Sequence, residues 1–203
     1  MKLISTIMFL LSCYYASAQF VKGDRFIAGG YSVSVQNSSE DSFYEGKHRS
    51  FQVYPEVGFL LNERYALGGG FNFLSTRNKS DLGQGSYQDH KVLGLGVYLF
   101  VKRYFPITEK FFFSMDGSVS YDRRRATTDY GGAESKEKSY SVGLNVSPSL
   151  MFFPSPNWAI EGSIGGINLN HSRGLSDDSK STSFGLNYGS FSLGFAYFFR
   201  KTD

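Results

Sequence analysis

Two residues near the start of the second alternating segment could form a nucleophile–base pair. His48 and Ser50 are separated by one residue, and residues i and i+2 of a β-strand project from the same face. A histidine within hydrogen-bonding reach of a serine hydroxyl can activate that hydroxyl as a nucleophile. The sequence shows no evident third member to orient the histidine, and Ser50 falls on the polar row of its segment. We therefore predict that His48 is a loop histidine without a catalytic role.

Four charged residues lie on the polar side of segments in which apolar and polar residues alternate. Glu56, Asp116 and Glu161 are acidic, and Lys102 is basic. Alternation with a period of two places these residues on the face opposite the apolar rows. Carboxylates buried without partners carry a large desolvation penalty. We therefore predict that the four side chains form an internal polar network, with a proton or cation path as the alternative.

The composition excludes several other classes of function. His171 stands alone without a second ligand at metal-binding spacing, so the sequence predicts no metal and no cofactor. The formal charge of +3 is too small for a nucleic-acid-binding surface. A mean hydropathy of −0.25 excludes a polytopic helical membrane protein. With 20 Phe, 14 Tyr and 23 Gly, the chain is also unlike a disordered protein.

The N-terminal segment has the parts of a secretory signal peptide. Lys2 supplies a positive charge, residues 3–11 are mostly apolar, and small residues at 16–18 match a signal-peptidase site. Cleavage after Ala18 predicts a signal peptide at 1–18 and one mature domain at 19–203. Cys13 would leave with the signal, so the mature chain would have no disulfide. A lipoprotein signal that lipidates Cys13 is the alternative.

The mature chain contains eight segments in which apolar residues alternate with small polar ones. Such alternation is typical of β-strands with unlike faces. The connections alternate between long polar segments (36–48, 75–90, 122–138 and 171–182) and short turns (62–64, 104–109 and 154–157). This arrangement predicts an all-β fold, an eight-stranded antiparallel up-and-down transmembrane β-barrel with both termini on the short-turn side.

The composition of the two faces predicts which one meets lipid. The rows opposite the apolar residues are mostly Gly, Ala, Ser and Asn, whereas water-exposed surfaces are usually rich in charge. Small polar side chains fit the narrow interior of an eight-stranded barrel, and a closed sheet pairs every backbone polar group within hydrocarbon. The apolar rows are therefore predicted to face lipid. A soluble lipocalin-like barrel with an apolar interior is the alternative.

Local features of the strands give two further predictions. The alternation changes parity at residues 165–166 and 189–190, and Pro55 and Pro148 interrupt apolar rows, so we predict a β-bulge at each of these places. Aromatic residues gather near the short turns and predict a periplasmic girdle at headgroup level. The predicted girdle consists of Tyr65, Tyr104, Phe105, Phe111, Phe152, Phe153, Trp158, Tyr197, Phe198 and Phe199.

The last strand carries a motif that resembles a known signal. Ser192, Gly194, Tyr197 and Phe199 match the C-terminal insertion signal of outer-membrane proteins, although residues 200–203 follow the final aromatic. The mature chain resembles the small outer-membrane β-barrel domain family of the OmpA/OmpX/OmpW type, in the style of Bacteroidetes-type bacteria. The resemblance implies insertion into the outer membrane of a Gram-negative cell by the barrel-assembly machinery. It implies no particular ligand.

Within that family frame, two interpretations concern lipid. Arg123, Arg124 and Arg125 lie in the third long segment, where they are predicted to contact lipopolysaccharide phosphates or to form a solvated loop. The spacing of His48 and Ser50 resembles that of lipid-A deacylase barrels, so a lipid-A-modifying enzyme is an alternative function. The expected function is non-enzymatic. It is a structural or adhesive role, played through four extracellular loops toward an unidentified partner, with polar side chains plugging the lumen.

Overall fold

The structure is a computed structural model that describes residues 20–40, 44–81, 87–175 and 178–200. The predicted signal peptide, including Cys13, lies outside the described residues. In the described ranges, no helix is long and apolar enough to cross a membrane.

The described chain forms one antiparallel barrel of eight strands. Each strand pairs with the next, and β8 closes the ring on β1 through the pairs from Arg25↔Phe199 to Gly30↔Gly194. This confirms the predicted all-β, eight-stranded up-and-down fold. The strands are β1 (Arg25–Glu40), β2 (Tyr44–Leu60), β3 (Tyr65–Asp81), β4 (Tyr87–Pro106), β5 (Phe111–Tyr130), β6 (Ala133–Phe152), β7 (Trp158–Gly174) and β8 (Lys180–Phe199).

The strands extend well beyond the alternating segments, so the four predicted long loops are much too long. Residues 122–138, predicted as a loop, contain the end of β5, the start of β6 and a turn at Gly131 and Gly132 with φ of 59° and 100°. His48 likewise lies within β2 and not in a loop. The physical reason is that backbone pairing continues past the point where the outward residues become polar and the apolar alternation ends. We call the end of the barrel that carries the turn at Gly131 and Gly132 the hairpin end. The opposite end, where β1 begins and β8 ends, is the terminal end.

The apolar rows face outward, as predicted. On β4, Leu95 and Leu99 are 63% and 65% exposed, whereas the alternate residues Phe100 and Lys102 are each 2% exposed. The same alternation runs around the ring, because successive side chains of a strand point to opposite faces. The outward face is therefore a continuous apolar belt, which contradicts the lipocalin-like alternative.

The interior of the terminal end is filled by aromatic rings, which the sequence reasoning missed. Three residues assigned to the outer girdle, Tyr104, Phe153 and Phe198, are at most 1% exposed and lie inside, so the girdle assignment is wrong for them. Tyr104 and Phe198 have the strand parity of inward residues, and Phe153 follows the end of β6. We call this interior cluster the aromatic plug; it contains Phe20, Phe26, Phe100, Tyr104, Phe112, Phe153 and Phe198.

Both ends of the described chain are tied to the aromatic plug. The ring of Phe20 lies 4.4 Å from that of Tyr104 between centroids. The Arg200 guanidinium lies 5.2 Å from the ring centre of Phe198 and 5.6 Å from that of Phe20. Its Nη1 donates to Oδ2 of the fully buried Asp24 at 2.9 Å. These contacts hold the segment before β1 and the end of β8 against the same cluster.

The predicted bulges are confirmed except at one proline. The β6–β7 register shifts between Val146 and Ser149, around Pro148. The β7–β8 register shifts at Gly165, whose φ is 84°, opposite residues 188–190. At Pro55 the register with β3 is the same on both sides, so the bulge predicted there is wrong. Pro55 only removes one backbone donor from a ladder that stays aligned.

Candidate functional site

The structure brings the four predicted charged residues together in the interior. Lys102 Nζ lies 2.9 and 2.8 Å from the two carboxylate oxygens of Glu161. It is also 3.5 Å from Asp116 Oδ2 and 3.6 Å from Glu56 Oε1. The Lys102 side chain is 3% exposed. One largely buried ammonium group is thus shared among three carboxylates, and we call these four residues the Lys102 cluster.

The strand register explains why these residues meet. Lys102 and Asp116 are direct cross-strand partners on β4 and β5, while Glu56 on β2 and Glu161 on β7 reach across the interior. The Tyr98 hydroxyl donates to Glu56 Oε2 at 3.2 Å. Because the cluster joins side chains of four strands, it cross-braces opposite walls of the ring. Ion pairs of this kind are strongly coupled, since removing one partner leaves the others desolvated and unpaired.

The interior is layered along the barrel axis. On the hairpin side of the Lys102 cluster lies a polar cavity of about 390 Å³. Its walls carry hydrogen bonds from Gln52 Nε2 to Asn72 Oδ1 at 2.8 Å and from Asn72 Nδ2 to Asp122 Oδ1 at 3.2 Å. On the terminal side lies the aromatic plug, with Lys102 Nζ 5.8 Å from the ring centre of Phe100. The cavity therefore ends at buried charges backed by packed rings.

His48 and Ser50, considered above as a nucleophile–base pair, each contact the neighbouring strand. His48 Nδ1 is hydrogen-bonded to Asn78 Oδ1, and Ser50 Oγ lies 3.2 Å from Thr76 Oγ1. His48 and Ser50 both project inward, and each is engaged with β3 instead of with the other. No cluster of three potential metal ligands occurs within the part of the chain that the structure describes.

The three consecutive arginines lie on β5, so their assignment to a loop is wrong. Arg123 and Arg125 have the parity of the outward Tyr121, whereas Arg124 has the opposite parity. A Cβ on Gly94 of β4 would lie 3.6 Å from the Arg124 Cγ. Strand alternation therefore separates the triplet, leaving two arginines on the outer face.

Another set of basic residues lies on the outer face of β2 and β3, and sequence reasoning missed it. Lys47, Arg49, Arg77 and Lys79 line a groove of about 180 Å³ near the hairpin end. We call these four residues the cation ladder. Lys47, Arg77 and Lys79 fell inside predicted loops, and Arg49 directly followed one of them. In a loop, a spacing of two residues does not indicate that two side chains share a face. The signal was the continuation of strand parity from Phe51 and Phe73 into the polar segments.

One carboxylate beside the cation ladder is held by an arginine. Arg77 Nε donates to Asp89 Oδ1 at 2.9 Å, and Arg77 Nη2 donates to Asp89 Oδ2 at 2.5 Å. These hydrogen bonds favour the ionised carboxylate and lower the pKa of Asp89 below its ordinary value of 3.8. Both residues lie beyond the apolar belt, on the hairpin side of Phe73 and Leu93.

The lowered pKa predicts a pH-dependent contribution to stability. Because the pKa of Asp89 is lower in the folded than in the unfolded state, its stabilising effect is complete above the ordinary pKa. That effect disappears as pH falls through the folded value. Between about pH 6 and about pH 2, the parent protein should lose more free energy of unfolding than Asp89→Asn in detergent. Superimposable pH profiles of the two proteins would contradict this assignment.

The residues of the predicted insertion signal lie on β8 at the terminal half of the barrel. Ser192 Oγ is 3.1 Å from Ser163 Oγ in the interior. Tyr197 packs edge-on against Trp158 at 5.1 Å and against Phe199 at 4.9 Å between ring centroids. Phe199 is 50% exposed on the outer face. The two aromatic members of the motif thus lie in one outward row.

Comparison with known proteins supports the fold. No model of a protein family matches the sequence, and no curated protein matches it. Among solved structures, the outer membrane protein OprG from Pseudomonas aeruginosa is similar, with a TM-score of 0.54 and 15% identity over 91% of this chain and 99% of that chain. At this identity the likeness concerns the fold, and it confirms the predicted resemblance to small outer-membrane β-barrels.

Two further solved structures show weaker likeness. Ail, the attachment invasion locus protein of Yersinia pestis, has a TM-score of 0.47 and 22% identity over 88% of this chain and 100% of that chain. Neisserial surface protein A has a TM-score of 0.43 and 18% identity over 87% of this chain and 97% of that chain.

Proposed function

We propose that this chain is an outer-membrane β-barrel protein, exported by a cleaved signal peptide, that forms no open pore. Its role is structural or adhesive, through the four connections at the hairpin end. The outward apolar belt supports membrane residence, because water-soluble monomers rarely expose such large contiguous apolar surfaces. Members of the belt that are at least 60% exposed include Tyr31, Val33, Val35, Val57, Phe71, Leu95, Leu99, Phe184 and Leu186.

The proposal that the barrel forms no open pore rests on the side chains that fill the terminal end of the interior. The polar cavity meets the buried Lys102 cluster, and the aromatic plug fills the terminal end behind it. Phe153 and Phe198 have no exposed surface. Because Lys102 contacts three carboxylates and the rings behind it are packed, we expect no continuous water-lined route between the two ends. The part of the molecule available to partners is then the hairpin end.

Conductance tests this closure directly. The parent protein, refolded and inserted into planar bilayers, is expected to give no steady single-channel current. Steady current through the parent protein would contradict the proposed closure and support the proton or cation path. Surface proteolysis of intact cells provides the topology. Cuts should map to the β1–β2, β3–β4, β5–β6 and β7–β8 connections, and protection of all four until cells are permeabilised would contradict their exposure.

The absence of enzymatic activity is part of the same proposal. His48 and Ser50 face inward and are hydrogen-bonded to Asn78 and Thr76, so the pair cannot attack a lipid ester at the outer face as arranged. Incubation of the refolded protein with lipid A should leave the lipid mass unchanged in mass spectrometry. A loss of an acyl chain that disappears in Ser50→Ala would establish the enzymatic alternative.

Lipopolysaccharide is proposed as a partner of the outward arginines on β5. Cross-strand pairing sets Arg125 opposite Lys138 on β6, giving a basic strip suited to phosphate groups. The double variant Arg123→Gln/Arg125→Gln should retain less lipopolysaccharide on purification, whereas the inward Arg124→Gln should behave like the parent protein. Equal retention by all three proteins would remove this proposal.

Assembly by the barrel-assembly machinery is proposed to use the motif of Ser192, Gly194, Tyr197 and Phe199. Phe199 and Phe195 lie in the same outward row and are 50% and 49% exposed, so they form a matched pair. In a reconstituted insertion assay, Phe199→Ala should insert more slowly than Phe195→Ala. Equal rates would indicate that only the apolarity of the strand matters.

A further inference from the structure

We propose that the cation ladder binds the phosphate monoester headgroup of a lipid in the outer leaflet. The ladder consists of Lys47 and Arg49 on β2 and Arg77 and Lys79 on β3. The proposal rests on the membrane residence proposed above. It concerns β2 and β3, which are separated from the arginines on β5 by β4.

The strand register places like charges directly opposite each other. Lys47 pairs with Lys79, and Arg49 pairs with Arg77. Directly opposed side chains on one face have Cβ atoms about 4.5–5.5 Å apart, and like charges at that spacing are destabilising. Two such pairs follow each other, so four positive charges repel one another at this place. An anion bound between them would relieve that repulsion.

The described side chains do not neutralise this charge. Asp89 is the carboxylate in contact with the ladder, and it is already held by Arg77 and lies 3.5 Å from Lys91 Nζ. Across the described side chains, Lys47, Arg49 and Lys79 make no ion pair. Among the described side chains, these four cations and Lys91 thus have one carboxylate, that of Asp89, in contact with them; the next pair in the register is Glu45 with Asp81.

The chemistry of the groove favours a phosphate monoester. Arginine presents a planar fork of donors that matches phosphate oxygens, and lysine adds a mobile point charge. A phosphate monoester carries about −1.5 to −2 charges near neutral pH and three strong acceptor oxygens. Such a group can accept hydrogen bonds from both strands at once, which a singly charged carboxylate does less well.

The height of the ladder on the barrel favours a lipid over free phosphate. Arg49 is two residues beyond Phe51, which is 43% exposed, and Arg77 is four residues beyond Phe73, which is 39% exposed. At about 3.4 Å per residue, Arg49 lies about 7 Å beyond Phe51 along β2, beside Val35 at the edge of the apolar belt on β1. A lipid whose acyl chains cover Phe51 and Phe73 would therefore present its headgroup at the ladder, on the hairpin side of the membrane.

The test measures lipid retained by the refolded protein in native mass spectrometry. The probes are phosphatidic acid, which has a phosphate monoester, phosphatidylcholine as the neutral reference, and inorganic phosphate as a soluble competitor. The variant Lys47→Gln/Arg49→Gln removes the β2 half of the ladder and leaves the Arg77–Asp89 contact intact. The variant Lys22→Gln/Lys110→Gln makes the same change of charge at the terminal end.

The expected result is selective. Retention of phosphatidic acid should fall at least about tenfold in Lys47→Gln/Arg49→Gln, because charge-assisted hydrogen bonds are lost, and should stay at the parent level in Lys22→Gln/Lys110→Gln. An equal fall in both variants would show general charge attraction and overturn the site. Complete displacement of phosphatidic acid by equimolar inorganic phosphate would overturn the choice of a lipid.

Stability provides a second readout that a structural role would not reproduce. In neutral detergent, Lys47→Gln/Arg49→Gln should be at least as stable as the parent protein, because it removes like-charge repulsion. Added phosphatidic acid should raise the unfolding midpoint of the parent protein only. A loss of stability in neutral detergent would contradict the proposal. Failure here leaves the conductance and topology results untouched, so this proposal and the proposed function fail separately.

Discussion

Lys102→Met is expected to destabilise the folded barrel by about 3–5 kcal/mol. The substitution removes the ammonium group that lies within 3.6 Å of three carboxylates, and it leaves those carboxylates facing each other with little access to water. Equilibrium urea unfolding in detergent, followed by the fluorescence of Trp158, measures the loss. Lys22→Met removes a charge from an exposed position and should change the free energy of unfolding little.

A second substitution separates charge imbalance from simple loss of packing. Glu161→Gln in the Lys102→Met background removes the carboxylate that had the shortest contacts with the lysine. The double variant should recover part of the lost stability, because two carboxylates repel less than three and an amide tolerates burial better than an ion. A double variant less stable than Lys102→Met would contradict the view that charge pairing organises the Lys102 cluster.

Phe153→Ala is expected to destabilise the barrel by about 3–5 kcal/mol and to open a path for ions. The ring has no exposed surface and packs 5.3 Å from Phe198 and 5.5 Å from Phe112 between centroids. Its removal leaves a cavity in the aromatic plug. Urea unfolding and planar-bilayer recording of the same preparation measure both effects.

Phe71→Ala provides the comparison for the aromatic plug. Phe71 is 60% exposed on the outer face, so its loss removes contact with lipid and leaves no internal cavity. This variant should remain electrically silent and lose less stability than Phe153→Ala. Equal losses in the two variants, or a silent Phe153→Ala, would show that the rings do not control closure of the terminal end.

The apolar alternation predicted the strands well within the outward apolar belt, and poorly beyond it. On β4, the run from Leu93 to Val101 has large apolar residues on every outward position. Beyond Leu93 the outward residues are Lys91 and Asp89, although the hydrogen-bond ladder continues. Beyond the apolar belt the strand is maintained by backbone pairing, so the polarity of a residue there no longer indicates which face of the sheet it lies on.

The residues of the candidate sites differ in how far the sequence could predict them. Strand parity predicts which face a residue lies on, whereas contacts between strands depend on the register. Parity alone placed Glu56, Asp116, Glu161 and Lys102 on inward rows, and a narrow barrel then brings inward residues together. The aromatic plug was accessible by the same parity, since Tyr104 is two residues from Lys102, but clustering of aromatics near turns favoured a girdle. The cation ladder depends on the register between β2 and β3, which hydrophobic patterning does not determine once both strands are polar.

The most direct test of the account measures which face of β5 meets the acyl chains. Single cysteines at Ser118, Val119, Ser120 and Tyr121, in a Cys13→Ser background, carry a fluorophore in vesicles of brominated lipid. Val119 and Tyr121 are 43% and 49% exposed on the outer face, whereas Ser118 and Ser120 line the interior cavity. We expect strong quenching at Val119 and Tyr121 and weak quenching at the two serines. Strong quenching at the serines, or equal quenching at all four positions, would contradict an outward apolar face in contact with lipid.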